Sequence, residues 1–505
     1  MMSNNTRETA RHTDVMIVGA GLSGVGAAVH LQKNCPNRDY MIIERRAAIG
    51  GTWDLFKYPG IRSDSDMHTL GYNFKPWKAE KAIADGPAIW DYVNETADEH
   101  GIRERVQFNH KLVTAEWSTQ TASWLLTVEV GGEARYFTCH FLLMCAGYYN
   151  YDAGHQPEFD GRDDFQGRWV HPQFWPEDLD YQGKKVIVIG SGATAMTLVP
   201  NMANDAEKVT MVQRSPTYVV SRPSVDKVAN FLRKVLPSSW AYGLVRFRNT
   251  LWQQIIYKQT RSNPDRVAQN LLGEVEKAVG DVVDVKKHFT PTYNPWDQRL
   301  CLVPDDDLFT ALRSGKADVV TDTIAHVDAD GLVTGSGEHI DADIIVSATG
   351  IELLNLGGAE FTVDGKPVNF ADEWTYKGVM CSNIPNMVQT FGYINASWTL
   401  RADLTAEWVC RVLNHMEEFG YDQATPRIPE LLAKTMEKRF WIHDFSAGYM
   451  QRMMPKLPRQ GTQMPWVNPQ NYRVDKKMFR ESAVSDGALI FTSSNNDSEQ
   501  LKQVS

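Results

Sequence analysis

The chain has 505 residues, 43% hydrophobic and 23% charged, an ordinary globular balance over a length that exceeds one core, so two or three domains are expected. A net charge of −10 argues against nucleic acid as the main partner, because phosphate binding needs a basic footprint, and no run approaches the ~18 apolar residues that span a bilayer. The polar opening Met1 to Thr13 shows no signal peptide. The six cysteines, none in a C-x-x-C pair, read as buried reduced thiols of a cytoplasmic protein rather than as disulfides or metal ligands.

The first apolar run, Val15-Met-Ile-Val, flows into Gly19-Ala-Gly21-Leu-Ser23-Gly24 and a helical stretch from Val25 to Lys33; Tyr40-Met-Ile-Ile-Glu44 follows as a buried-strand pattern. Strand, glycine loop, helix and strand make a β-α-β unit. The glycines permit a tight turn and close backbone approach, and the helix N-terminus favours a pyrophosphate. Glu44, twenty positions beyond Gly24, stands where a carboxylate holds ribose hydroxyls. A second unit begins at Lys185-Val-Ile-Val-Ile and runs through Gly190-Ser191-Gly192-Ala193-Thr194-Ala195, a helix to Ala203, and Val209-Thr-Met-Val-Gln213. Its second strand ends in Arg214, where an NAD site would carry an acid. A guanidinium there suits a 2′-phosphate, so NADPH is favoured over NADH. Phe141 to Gly147 and Ile344 to Gly350 are further strands that end in glycine. Two dinucleotide sites imply a flavoenzyme reduced by a nicotinamide, and without a redox cysteine pair the electrons go to oxygen or a carrier.

Between Ser224 and Pro295 the strand pattern gives way to helical spacing. From Ser224 to Arg261 seven basic residues (Lys227, Arg233, Lys234, Arg246, Arg248, Lys258, Arg261) face one acid, Asp226, with aromatics interleaved. Two readings stay open: a weak, salt-sensitive peripheral attachment to membrane, or aromatics packed inward with cations that attract NADPH or pair with acids. Residues after about Thr492 are polar and read as a frayed tail.

Phe165-x-Gly167-x-x-x-His171-x-x-x-Trp175-Pro176 matches at every defined position the fingerprint of type I Baeyer–Villiger monooxygenases, and Gly50-Gly51-x-Trp53-x-x-x-x-Tyr58-Pro59-Gly60-x-x-x-Asp64 resembles that family's second signature. Gly50 to Asp66, Trp175 to Asp180 and Tyr293 to Pro304 are similar to its ethionamide-activating branch, and the likeness extends from about Val15 to Tyr472. The resemblance implies two Rossmann-like α/β domains. An FAD domain is split between 1–150 and 352–505. An NADPH domain is split between 151–223, with the linker fingerprint, and 296–351, and is interrupted by a helical insertion at 224–295. It implies FAD contacts at Gly19, Gly21, Ser23, Gly24, Glu44, Thr52, Trp53, Asp64 and Leu112. NADP contacts fall at Gly190, Ser191, Gly192, Ala193, Thr194, Arg214, Ser215 and Arg62. No metal is implied.

The implied reaction takes ketones to esters or lactones with NADPH and O2 through a C4a-peroxyflavin, with sulfide oxidation as a side activity. Arg299 is the implied catalytic cation, since a permanent guanidinium can stabilise a peroxyanion and the tetrahedral adduct. Asp64 is its orienting acid, with Asp66 as the alternative. Phe165, Gly167, His171 and Trp175 are implied to couple the domains rather than to act on substrate. A helix expected over Ala402–Met416 would aim its N-terminus at the flavin. Gln298 departs from relatives that carry lysine there, which leaves more of the phosphate to Arg214. Loops 374–382 and 459–468 are expected to shape the substrate pocket. The competing readings are an N- or S-oxygenating flavin monooxygenase with little ketone activity, and a non-oxygenating FAD/NADPH redox sensor. Substrate and oligomeric state are not legible.

Overall fold

The runs that open the two glycine loops form inner strands of two separate sheets in the computed structural model, which describes residues 7, 9–443 and 445–493. The polar tail lies almost wholly outside the described residues. Arg11–Val18 pairs in parallel with Tyr40–Glu44 on one side and Glu133–Met144 on the other. Val15, Met16 and Ile17 are fully buried, as expected of a parallel sheet covered on both faces. The twelve-residue Glu133–Met144 strand serves two partners. Its first half pairs antiparallel with Ser123–Val130, and its second half is parallel to Arg11–Val18 and Met387–Gln389. The second sheet is wholly parallel, in the order Ala317–Thr321, Lys208–Gln213, Lys185–Ile189, Ile344–Ser347, Arg168–Val170. Its last strand lies inside the Phe165–Trp175 fingerprint.

The chain leaves the first sheet through Tyr149–Gly154 and returns from the second through Ile351–Leu353, and these two crossings pair antiparallel as one ribbon. Between residues 223 and 300 no strand occurs among the described residues. The segment forms helices Lys227–Val235, Ser238–Ser262, Pro264–Val279 and Val285–His288. Asp226 starts the first by accepting the Ala229 N–H, and Pro264 occupies the first position of the third, where its missing N–H costs nothing.

The helix expected over Ala402–Met416 runs from Trp398 to Phe419, so Trp398, Thr399 and Leu400 belong to its first turn rather than to the approach. Glycine 420, at φ 69°, ends it in the left-handed conformation open to glycine. All six cysteines are free and buried, as expected.

Candidate active site

A cleft of about 940 Å³ runs between the two glycine loops. It is lined by all of the cofactor residues expected from the sequence except Gly24, and by Asp64 and Arg299. Gly24 lies behind the loop. A Cβ there would sit 1.9 Å from the carbonyl oxygen of Gly19, so its role is close helix–strand packing. Gly19 (φ 106°) and Gly190 (φ 133°) turn the chain at equivalent points, and a Cβ on either would meet a backbone carbonyl, of Cys145 or Ala348, at 2.5 or 2.3 Å. By contrast, a Cβ on Gly147, Gly192 or Gly350 would point into open space. Those bare backbones on the cleft wall are what a dinucleotide laid along them needs.

At the first loop, buried Glu44 accepts the N–H groups of Ala20 (2.7 Å) and Arg46 (2.8 Å). Burial pushes its carboxyl above the usual range, and these two donors work against that rise. Ser23 takes a hydrogen bond from the Trp398 indole at 2.7 Å, which ties the glycine loop to the start of the Trp398–Phe419 helix. Ala396 and Trp398 line the cleft, so that helix does open onto it. Thr52, Trp53 and Leu112 complete this end.

At the second loop the Ser191 hydroxyl donates to the Ser215 carbonyl (2.9 Å), and Ala193 and Thr194 begin the next helix. Arg214 is exposed at the end of its strand, lines the cleft, and has no carboxylate partner among the described residues. Arg62 pairs through Nη1 with Asp307, while its buried Nε and Nη2 find no protein partner. Two orphaned guanidinium donors at a nucleotide cleft are chemically suited to an anionic ligand.

Arg299 and Asp64 come from segments far apart in sequence and meet with Nε to Oδ2 at 3.6 Å. Burial disfavours the guanidinium charge, but the Asp64 carboxylate and the phenols of Tyr449, Tyr148 and Tyr149 outweigh it, so its pKa rises above the ordinary arginine value. Burial likewise raises the Tyr149 and Tyr449 phenols, which therefore stay protonated and able to donate. Trp296, three residues before Arg299, holds φ 68°, a rare conformation for a bulky residue, in a turn closed by the Asp297 N–H to the Asn294 carbonyl. Asp66, the alternative acid, caps a helical turn by accepting from the Thr69 N–H, and it also accepts from Asn249.

The fingerprint residues stand apart from the cleft. Phe165 is buried against the second sheet, and a Cβ on Gly167 would lie 2.3 Å from the Asp343 carbonyl. Trp175 packs beside the same domain's other core. The buried His171 accepts the Gln173 N–H (3.2 Å), and its ring lies so close to Gly154 of the crossing ribbon that a Cβ there would touch it.

One expectation needs correction. Loops 374–382 and 459–468 contribute nothing to the cleft wall. Trp374, Tyr376, Met380 and Trp466 are core residues instead, because this run of aromatics packs under the Trp398–Phe419 helix. The cleft wall near Arg299 is built instead by Tyr148, Tyr149 and the stretch Ala447–Tyr449 with Arg452. Tyr148 and Tyr149 directly follow the glycine that ends the Phe141–Gly147 run, a signal that could have exposed them; Tyr449 has no local signal. In the basic insertion three arginines are held by the fold, in line with the reading in which its cations pair with acids. Arg246 is buried on the carbonyls of His68 (2.9 Å) and Gly71 (2.8 Å) and beside Asp403 (3.4 Å), Arg248 pairs with Asp226, and Arg261 with Asp297.

Residues 81–260 match the flavin-binding monooxygenase-like family model, and residues 17–95 match the NAD(P)-binding Rossmann-like domain. The FAD-containing monooxygenase EthA of Mycolicibacterium smegmatis is 51% identical over 95% of this chain and 97% of its own. The probable FAD-binding monooxygenase AlmA of Acinetobacter baylyi is 47% identical over 95% and 96%. Among solved structures, an oxidized steroid monooxygenase bound to NADP superposes with a TM-score of 0.78 at 20% identity, over 95% of this chain and all of that one. An open cyclohexanone monooxygenase gives 0.77 at 19% identity, over 96% and 100%. The glycine loops and their cleft thus belong to a shared fold and a close sequence family, and the chain is a member of the NADPH-dependent, FAD-containing monooxygenases of the Baeyer–Villiger type.

Proposed function

We propose that this enzyme inserts one atom of O2 beside a ketone carbonyl, giving an ester or lactone, and oxidises sulfides as a side activity. The other oxygen atom leaves as water, and NADPH supplies the hydride. The chemistry supplied by bound FAD and NADPH is the reductive activation of O2; the chain's residues bind, orient and stabilise. The observation that carries the reading is the Arg299–Asp64 pair in the cleft between the two nucleotide loops. A guanidinium that keeps its charge can stabilise a carbonyl oxygen as it becomes anionic, and Asp64 holds it in place. The neighbouring phenols can donate to the same oxygen. Oxygenation at nitrogen or sulfur creates no carbonyl-derived oxyanion and would not call for this cation.

Gly19 and Gly21 with Glu44, Trp53 and Leu112 would hold FAD, and the Gly190–Thr194 loop would hold NADPH. Arg214 and the unpartnered donors of Arg62 supply positive charge for the 2′-phosphate and pyrophosphate. His171 and its fingerprint partners couple domain movement through the crossing ribbon. The free, buried thiols suit a reducing cytoplasm. The deciding experiment mixes enzyme, NADPH and a panel of ketones. Ester formation matched to NADPH consumption supports the proposal; hydrogen peroxide as the only product, with every ketone, overturns it.

A further inference from the structure

The first two helices of the insertion expose apolar side chains in a pattern that folding alone does not explain. On Lys227–Val235 the outward residues are Val228, Phe231 and Val235, with Phe231 61% exposed. On Ser238–Ser262, Trp240, Leu244, Phe247 and Ile255 are exposed and, with half-buried Leu251, recur at the 4-3-4-4 spacing that stacks them on one face; Trp240 and Phe247 are 69% and 63% exposed. Trp252 widens the stripe at 57%. Isolated exposed apolar residues are common, but a continuous two-helix face of large ones marks a contact surface.

The charge around this face selects the partner. From residue 227 to 264 the sequence contains no aspartate or glutamate, in a chain of net charge −10. Of its basic residues, Lys227, Lys234 and Lys258 are exposed without a carboxylate partner among the described residues, and Arg233 bonds Asn230 and the Trp77 carbonyl. The neighbouring 78–81 loop adds exposed Lys78 and Lys81 against Glu80. A second copy docked about a twofold axis would set these cations against each other. We propose that this face docks the enzyme on an anionic lipid surface, with the aromatic stripe entering the interface and the lysines at headgroup level. The inference does not depend on which substrate is oxidised.

The opposite face of the same helix touches sequence neighbours of Asp64 and Arg299. Asn249 donates to Asp66 (2.9 Å), two residues from Asp64, and Tyr257 packs edge-on against Trp296 beside the ion pair of Arg261 with Asp297 (2.6 Å). One helix diameter, about 10 Å, therefore separates the docking face from the segments that carry Asp64 and Arg299.

Full-length holoenzyme should co-sediment with phosphatidylglycerol-containing vesicles at low salt and come off at about 0.5 M salt, where charge is screened. Changing Lys227, Lys234 and Lys258 to glutamate should weaken partitioning by about fivefold or more per site. Phe231→Ser with Phe247→Ser should abolish it, while FAD content and NADPH oxidation in solution stay unchanged. Brominated lipid should quench tryptophan emission in the wild type, and much less in Trp240→Phe/Trp252→Phe. No co-sedimentation, equal uptake by neutral vesicles, or full binding by the Phe231/Phe247 variant each overturns the proposal. So does a solution dimer that the same variant dissociates.

Discussion

Arg299→Ala removes a cation whose side chain is 38% exposed, in the cleft wall beside the phenols of Tyr148, Tyr149 and Tyr449. Deleting one preorganised stabiliser of a developing oxyanion commonly lowers kcat by ~10²–10³, or about 3–4 kcal/mol. The contribution of Asp64 is smaller. At 3.6 Å the bare attraction is about 4–5 kcal/mol at an effective dielectric of ~20, and partial exposure of both groups reduces its net worth to about 1–2 kcal/mol. Asp64→Asn should therefore slow ester formation by about 5- to 30-fold, and Arg299→Ala by at least 100-fold. An arginine stays charged throughout the working range even without Asp64, so the loss in Asp64→Asn should not be recovered at any pH up to about 10. The assay is ester yield by gas chromatography, alongside flavin absorbance and anaerobic flavin reduction by NADPH. Both variants should hold FAD fully and be reduced at rates near wild type. Ester formation by Arg299→Ala within tenfold of wild type would refute the assignment of the oxyanion role.

Arg214→Ala should raise the KM for NADPH by about 10- to 100-fold through the loss of a charge-assisted contact, while the KM for NADH moves less than threefold; equal losses would remove Arg214 from phosphate recognition. His171→Ala should slow NADPH oxidation and raise peroxide leakage without altering which ketones are accepted, whereas normal flavin reduction with failed oxygenation would point to a direct chemical role. Burial holds His171 and His68 below the ordinary histidine pKa, so the unfolded chain binds protons the folded one does not. Denaturant midpoints should consequently be constant above about pH 6.5 and fall on acidification below it, and a midpoint that rises there would contradict this sign. Arg246→Met strands the carbonyls of His68 and Gly71 and takes a cation from buried Asp403, which keeps the Asn73 N–H and His30, and should destabilise the packing of the Ser238–Ser262 helix by about 1–3 kcal/mol, read as faster proteolysis of the insertion; unchanged proteolysis would mean that Arg246 is not its anchor.

The parts of the site legible in the sequence are those whose causes are local. A buried parallel strand must be an unbroken apolar run, and Gly19 and Gly190 must be glycine because their φ values are positive and a carbonyl occupies the place of a Cβ. The unit that follows each loop is short, so Glu44 and Arg214 could be placed by counting from it. The Arg299–Asp64 pairing was reachable only through a long family motif, since nothing near either residue indicates that they meet. Tertiary structure alone decided the rest. Tyr449 reaches Arg299, and the two crossings pair as a ribbon, through contacts between segments far apart in the sequence. Whether an arginine in the basic insertion faces solvent or caps buried carbonyls depends on what packs against it. Arg246 and Lys258 lie on the same helix, yet one is sealed on the His68–Gly71 turn and the other is exposed to solvent. Likewise the aromatic loop 374–382 could have lined a pocket or filled a core. It fills the core because the Trp398–Phe419 helix lies over it, a placement set by the fold and not by the loop's own residues.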